Sequence, residues 1–202
     1  MISYLSRFIT LFLLQNKIVE QEKCDVYEYG FEVIISTIIG FILIFTSGIL
    51  LNELLSSMIF YAMFIIVRQY TGGYHANSHL KCKLTMLWLC LLVLFSVKYC
   101  ISILTFPVHL IFLMFYCAVV ILLAPIEHKN APMTDGLKRR NKIISVIIAI
   151  ILTAINFLGY WYFRKITVVS SLTLFIIAIL IIIPKIQGRR KIRYEKGNWK
   201  DA

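Results

Sequence analysis

The stretch LLSSMIFYAMFIIVRQYTGGYHANSHLKCKLTMLWLCLLVLFSV, residues 54–97, decides how this chain is read. Two apolar runs, 54–67 and 84–97, flank a polar island broken by a glycine pair: Arg68-Gln69-Tyr70-Thr71-Gly72-Gly73-Tyr74-His75-Ala76-Asn77-Ser78-His79-Leu80-Lys81-Cys82-Lys83. A segment surrounded by lipid must satisfy its backbone hydrogen bonds internally, so each run reads as a helix and the island as a bend at the membrane edge. Working outward, further apolar segments at 31–51, 101–124, 143–163 and 166–183 bring the number of expected spans to six. The runs 54–67 and 84–97 are short for a span of about 20 residues, so their ends are expected to recruit part of the island or Tyr99.

Composition agrees. The 202 residues are 60% hydrophobic and 15% charged, against roughly 45–50% and about 25% in soluble domains. The expected fold is an all-α membrane protein, a six-transmembrane helical bundle with an N-terminal amphipathic interfacial helix and a polar, cytoplasmic-side active-site bend. The chain is divided into an N-terminal segment 1–30, a six-span domain 31–183 and a basic cytoplasmic tail 184–202. In the N-terminal segment, Ile2, Leu5, Phe8, Ile9, Phe12 and Leu13 recur at helical spacing, with Ser3, Ser6, Arg7 and Thr10 on the other side. Such a helix lies in the interface or packs as an end segment on the bundle. Arg7 interrupts the run and no small-residue cleavage site follows, so it is not read as a cleaved signal peptide. Gly40 and Gly48 on the first span allow close helix approach.

A net charge of +11 would suit nucleic acid, but the basic residues lie between and after the apolar runs and form no stripe, so they read as topology signals and a surface for anionic lipid or acidic peptide. With six spans, eighteen Lys and Arg fall on the side of the termini and the island, and only Lys98, Arg164 and Lys165 on the other. The positive-inside rule then places both termini and the island in the cytoplasm, in a multi-pass protein of the cell membrane. Five cysteines, an odd number without a C-x-x-C pair, do not read as a disulfide framework.

The chemistry gathers in the island. The glycine pair lets a helix ending at Arg68 or Gln69 turn, and Asn77 or Ser78 suits the cap of the next, which puts Cys82 in or just after a first helical turn. A thiol attacks as thiolate, a form favoured by helix N-termini and nearby cations, and Lys81 and Lys83 flank this one. An imidazole would take its proton. On a continuous helix His75 stands about 10 Å from Cys82 along the axis, and pairs with it only if the chain bends back near Gly73. His79, three residues before Cys82, reaches it more easily. Alternatively, His75, His79 and Cys82 offer three zinc ligands on one face, though the island has no carboxylate to act as base or fourth ligand.

The pattern Arg68-x4-Gly73-x-His75-x6-Cys82 resembles the signature of the AgrB family (accessory gene regulator protein B), quorum-sensing membrane peptidases of Gram-positive bacteria. Ala124-Pro125-Ile126-Glu127-His128-Lys129-Asn130-Ala131-Pro132 resembles that family's Ala-Pro … Lys-Asn … Pro loop, and Tyr27-Glu28-Tyr29-Gly30 its segment before the first span. The likeness covers nearly the whole chain in length, span order and motif position. It implies a cysteine endopeptidase without cofactor or metal that cuts an AgrD-like propeptide on the C-terminal side of the future signal peptide. By the same resemblance Cys82 is the nucleophile, His75 rather than His79 the base, and Arg68 and Gly73 are supporting positions. The acyl-thioester left on the enzyme would be attacked by a Cys or Ser of the peptide, closing a thiolactone or lactone. A thioester is a reactive acyl donor, and a water-poor site favours transfer over hydrolysis.

Asn77 is the one Asp or Asn of the island that could orient His75; otherwise His75 and Cys82 act as a dyad. Arg68 could hold substrate carboxylates or structure the loop. The family's substrate carries an acidic tail, for which Lys138, Arg139 and Arg140 are candidate contacts. The resemblance also implies a homodimer. A small transporter would be expected to show an internal repeat or charges within its spans, and neither is evident; a non-enzymatic scaffold would need no Cys/His island.

Overall fold

A computed structural model describes residues 2–16, 18–72, 79–126 and 134–198, with side chains for these except 79–81 and 187–198. The elements are α1 (Ile2–Gln15), a 3₁₀ turn (Gln21–Lys23), α2 (Cys24–Leu50), α3 (Leu54–Thr71), α4 (His79–Cys100), α5 (Phe106–Leu123), α6 (Asp135–Gly159) and α7 (Arg164–Asn198). Six of them, α2 to α7, are long and apolar enough to cross a membrane. The all-α, six-span bundle is as expected.

The helix ends depart from the apolar runs in a consistent direction. The first span already begins as helix at Cys24, α6 begins at Asp135 instead of 143, and α7 continues through Pro184. The short runs recruit their polar neighbours: α3 carries Arg68, Gln69 and Tyr70 to Thr71, past the expected end at Arg68 or Gln69, and α4 includes Tyr99. Helical hydrogen bonding, once nucleated, extends until a specific stop and is indifferent to where hydrophobicity ends. In the other direction, α5 starts at Phe106, not 101, because Ile101–Leu104 turn and Pro107 occupies the first helical turn, where its missing N–H costs nothing.

The centre of the bundle is α7. It packs against α3, α4, α5 and α6, and 72% of its spanning window is buried, against 17% for α2 and α6. Its buried hydroxyls are satisfied locally: Thr167 Oγ1 donates to Phe163 O at 3.2 Å, and Thr173 Oγ1 to Val169 O at 2.7 Å. His109 of α5 sits beside it with Nδ1 2.9 Å from Ser171 Oγ and Nε2 3.3 Å from Asn156 O. Both ring nitrogens thus have polar partners, and this buried histidine ties α5, α6 and α7 together.

Outside that core the chain is apolar on its surface, as lipid-facing helices are. Ile34, Ile38 and Ile42 of α2 and Ile143, Ile147 and Ile151 of α6 are exposed, and Tyr27 and Tyr29 at one end and Tyr99, Trp161 and Tyr162 at the other stand where interfacial aromatics belong. α1 follows the same logic. It packs on α2 and buries Ser6 and Thr10, while Tyr4, Phe8 and Phe12 face outward. It is an end segment packed on the bundle by its small polar side, with its apolar side exposed.

Alternating helices put the three isolated cations at one end. There Lys165 Nζ lies 2.6 Å from Glu53 Oε1, Ser56 Oγ donates to Glu53 Oε2 at 2.6 Å, Lys98 Nζ donates to Leu51 O at 3.0 Å, and Arg164 to Ile101 O at 3.0 Å. Glu53, to which the sequence attached no role, therefore joins the α2–α3 turn to the start of α7. That turn is tight because a Cβ on Gly48 would collide with Ser57 Oγ and stand 3.1 Å from Leu54 Cα.

Candidate active site

The opposite end carries the described part of the island. α3 ends at Thr71 because Gly72 takes φ +67° and ψ −148°, a backbone conformation open in practice to glycine alone. Gly72 N–H donates to Arg68 O at 3.1 Å, closing the last turn. One turn back, the Arg68 side chain is half-buried, with its guanidinium carbon 5.2 Å from the Phe64 ring centroid. Cys82 is the fourth residue of α4 and is also half-buried.

Beside it, Lys83 turns inward. A Cβ placed on Gly40 of α2 would stand 3.1 Å from Lys83 Nζ, 2.9 Å from Met86 Cε and 3.6 Å from Tyr61 Oη. Tyr61 in turn donates to Thr37 O at 2.7 Å. The missing side chain at Gly40 therefore makes the notch that admits the Lys83 head between α2, α3 and α4. Arg68 and Lys83 lie near enough to Cys82, and Lys83 near enough to Arg68, for electrostatic interaction. Two cations from two helices near one thiol are placed to stabilise negative charge that develops next to it.

The other cysteines are differently placed. Cys90 is buried, Cys117 Sγ lies 3.0 Å from Thr153 Oγ1, and Cys100 is exposed at the far end of α4. Lys138, Arg139 and Arg140 stand exposed near the start of α6. Gly73, His75 and Asn77 lie outside the described residues, as does the side chain of His79, so of the three zinc-ligand candidates only Cys82 has a described side chain. Residues 127–133 of the second motif are likewise outside them.

Its first residues are described, however, and they meet the island. Ile126 N–H donates to Thr71 O at 2.9 Å, and Gly72 and Ile126 form a parallel bridge. The described ends of the two stretches, read separately in the sequence, thus meet. The bridge had no local signal, and although Gly40 was read as allowing close helix approach, its partner Lys83 lies too far along the chain to be read from it.

The family model described as Accessory gene regulator B matches residues 6–183. The chain belongs to that family. It is 31% identical over 149 residues to an AgrB-like protein of Clostridium perfringens (strain SM101 / Type A), covering 70% of this chain and 69% of that protein. It is 27% identical over 141 residues to accessory gene regulator protein B of Staphylococcus haemolyticus (strain JCSC1435), covering 67% and 71%. No solved structure matches it significantly. The matched region of the family runs from α1 to the part of α7 just before Pro184 and so contains both halves of the Gly72–Ile126 bridge.

Proposed function

We propose that this chain is a membrane cysteine endopeptidase acting in quorum sensing, which cuts an AgrD-like propeptide and passes its acyl group to a nucleophile within the peptide. The observation that carries the reading is Cys82, half-buried in the first described turn of α4 next to Lys83, whose head turns inward to the Gly40 notch, in a chain of the Accessory gene regulator B family. His75 takes the thiol proton, the Cys82 sulfur attacks the scissile carbonyl, and the tetrahedral oxyanion forms near two cations. Collapse breaks the C–N bond, His75 returns the proton to the leaving amine, and the C-terminal peptide departs. A Cys or Ser of the retained peptide then attacks the thioester carbonyl, giving a cyclic thiolactone or lactone and restoring the Cys82 thiol. Gly73 and Asn77 stay in this scheme as supporting positions, with Lys138, Arg139 and Arg140 drawing in an acidic substrate tail.

The distribution of basic residues, eighteen against three, supports a cytoplasmic site, and the exposed apolar helix faces support lipid as a partner. A homodimer belongs to the same reading.

The test is to trap the acyl-enzyme. Incubation with a propeptide whose internal Cys and Ser are replaced by Ala should leave a hydroxylamine-sensitive adduct on Cys82, found by mass spectrometry, and alkylation should block it. Inhibition by chelators with no effect of alkylation would move the assignment to the zinc site of His75, His79 and Cys82. A further expectation concerns Gly40→Ala. Its Cβ crowds the flexible ends of Lys83 and Met86 and leaves Tyr61 Oη at ordinary contact distance, so thermal stability in detergent should fall by about 1 kcal/mol or less, while the displaced Lys83 head lowers the processing rate several-fold. Unchanged processing would remove Lys83 from the mechanism.

A further inference from the structure

Arg68 stands in the last turn of α3, where a helix frays most easily. Gly72 N–H closes that turn on Arg68 O, and Ile126 N–H satisfies Thr71 O, one of the carbonyls a helix end leaves without an intrahelical donor. A Cβ on Gly72 would collide with the Ile126 carbonyl oxygen and stand 3.3 Å from Ile126 C and 3.4 Å from Ile126 N. The bridge thus needs glycine twice, for the positive φ and for the close approach. The 124–126 segment is itself anchored: Ala124 N–H donates to Val120 O at 3.1 Å, and Lys142 of α6 donates to Val120 O at 3.3 Å and to Ile121 O, a cation at the C-terminal end of α5, where the helix dipole favours it. A continuous line of contacts runs from α6 through the end of α5 to the turn that carries Arg68.

We propose that Gly72 and the Ala124–Ile126 segment form a latch that holds Arg68 beside Cys82, making Gly72 a positioning residue for the reaction. This rests on the peptidase reading for its chemistry, but the latch is measurable without substrate. With the latch closed, Arg68 sits where its charge reaches the thiol. With a side chain at residue 72, the bridge opens and the last turn of α3 loosens.

The experiment follows iodoacetamide alkylation of Cys82 at neutral pH in the full-length protein, by peptide mass spectrometry, with exposed Cys100 at the other end of α4 as internal reference. Wild type is compared with Gly72→Ala, Arg68→Gln and the double variant, and with Ile126→Pro, which deletes the N–H donor without touching residue 72. Propeptide processing is measured in parallel. Because thiolate is the reacting form, Gly72→Ala and Ile126→Pro should slow Cys82 about three- to tenfold, to the level of Arg68→Gln. Cys100 should not change, the double variant should be no slower than either single one, and kcat for processing should fall at least about tenfold with KM little altered. Wild-type alkylation ratios in both Gly72→Ala and Ile126→Pro, or additive effects in the double variant, would overturn the latch. If instead Cys82→Ser still cleaves, the peptidase reading falls, and the alkylation comparison still decides the latch on its own.

Discussion

Replacing Cys82 by serine is expected to lower propeptide cleavage by at least about 10³-fold, leaving no cyclic product when enzyme and propeptide are coexpressed. A serine hydroxyl is a far weaker nucleophile than a thiol, and neither Arg68 nor Lys83 can make it anionic near neutrality. Cleavage retained in Cys82→Ser would end the peptidase proposal. The companion substitutions His75→Ala and His79→Ala divide the base assignment. Loss of cleavage on removal of His75, with His79→Ala active, fits the family pattern; the reverse would restore the preference that regular helix geometry gives to His79, three residues before Cys82. Since nucleophile and base act as a unit, the double variant Cys82→Ser/His75→Ala should be no slower than the worse single one.

The second large effect lies at the other end of the bundle and bears on stability. Lys165→Met should destabilise the protein by about 1–3 kcal/mol, less than the ~3–5 kcal/mol of a fully buried pair because the Lys165 side chain is 54% exposed. The loss arises because Glu53, 8% exposed, is left as a buried carboxylate with Ser56 as its remaining hydrogen-bond donor. Glu53→Gln/Lys165→Met should recover part of it. Burial by itself raises the Glu53 pKa, but hydrogen bonds from Lys165 and Ser56 and the charges of Lys165 and Lys98 outweigh burial and hold it below its ordinary 4.5. A folded-state value under the unfolded one means that this stabilisation is present above about pH 4.5 and is lost as pH falls through the folded value. Thermal unfolding in detergent across pH 3–7 should show a drop on the acid side in wild type that is smaller in Glu53→Gln. A melting temperature unmoved by Lys165→Met would show the pair to be inert.

Much of the fold was legible because lipid imposes a simple rule: a run of apolar residues long enough to span must be a helix. The six runs, their order and the asymmetry of Lys and Arg all follow from counting. Helix ends were less legible, since α2 and α6 continue into polar residues that no hydrophobic count includes, and α3 stops only where Gly72 can adopt its positive φ. Cys82 could be placed near a helix start because Asn77 and Ser78 are good caps. Gly40 could be read as a close-approach position, but its partner Lys83 and the role of Glu53 could not, because each is defined by a side chain on a distant helix; Glu53 and Lys165 are 112 residues apart.

By itself, then, the sequence determined the class of fold and the number of spans and singled out candidate nucleophilic and basic residues, since periodicity, hydrophobicity and motif spacing are local properties. Only the tertiary structure decided that the Ala124–Ile126 segment docks on Gly72, that Lys83 reaches the Gly40 notch beside Cys82, and that Glu53 finds Lys165. Those pairings depend on which helices pack together around α7, and that is set by the fit of the whole bundle.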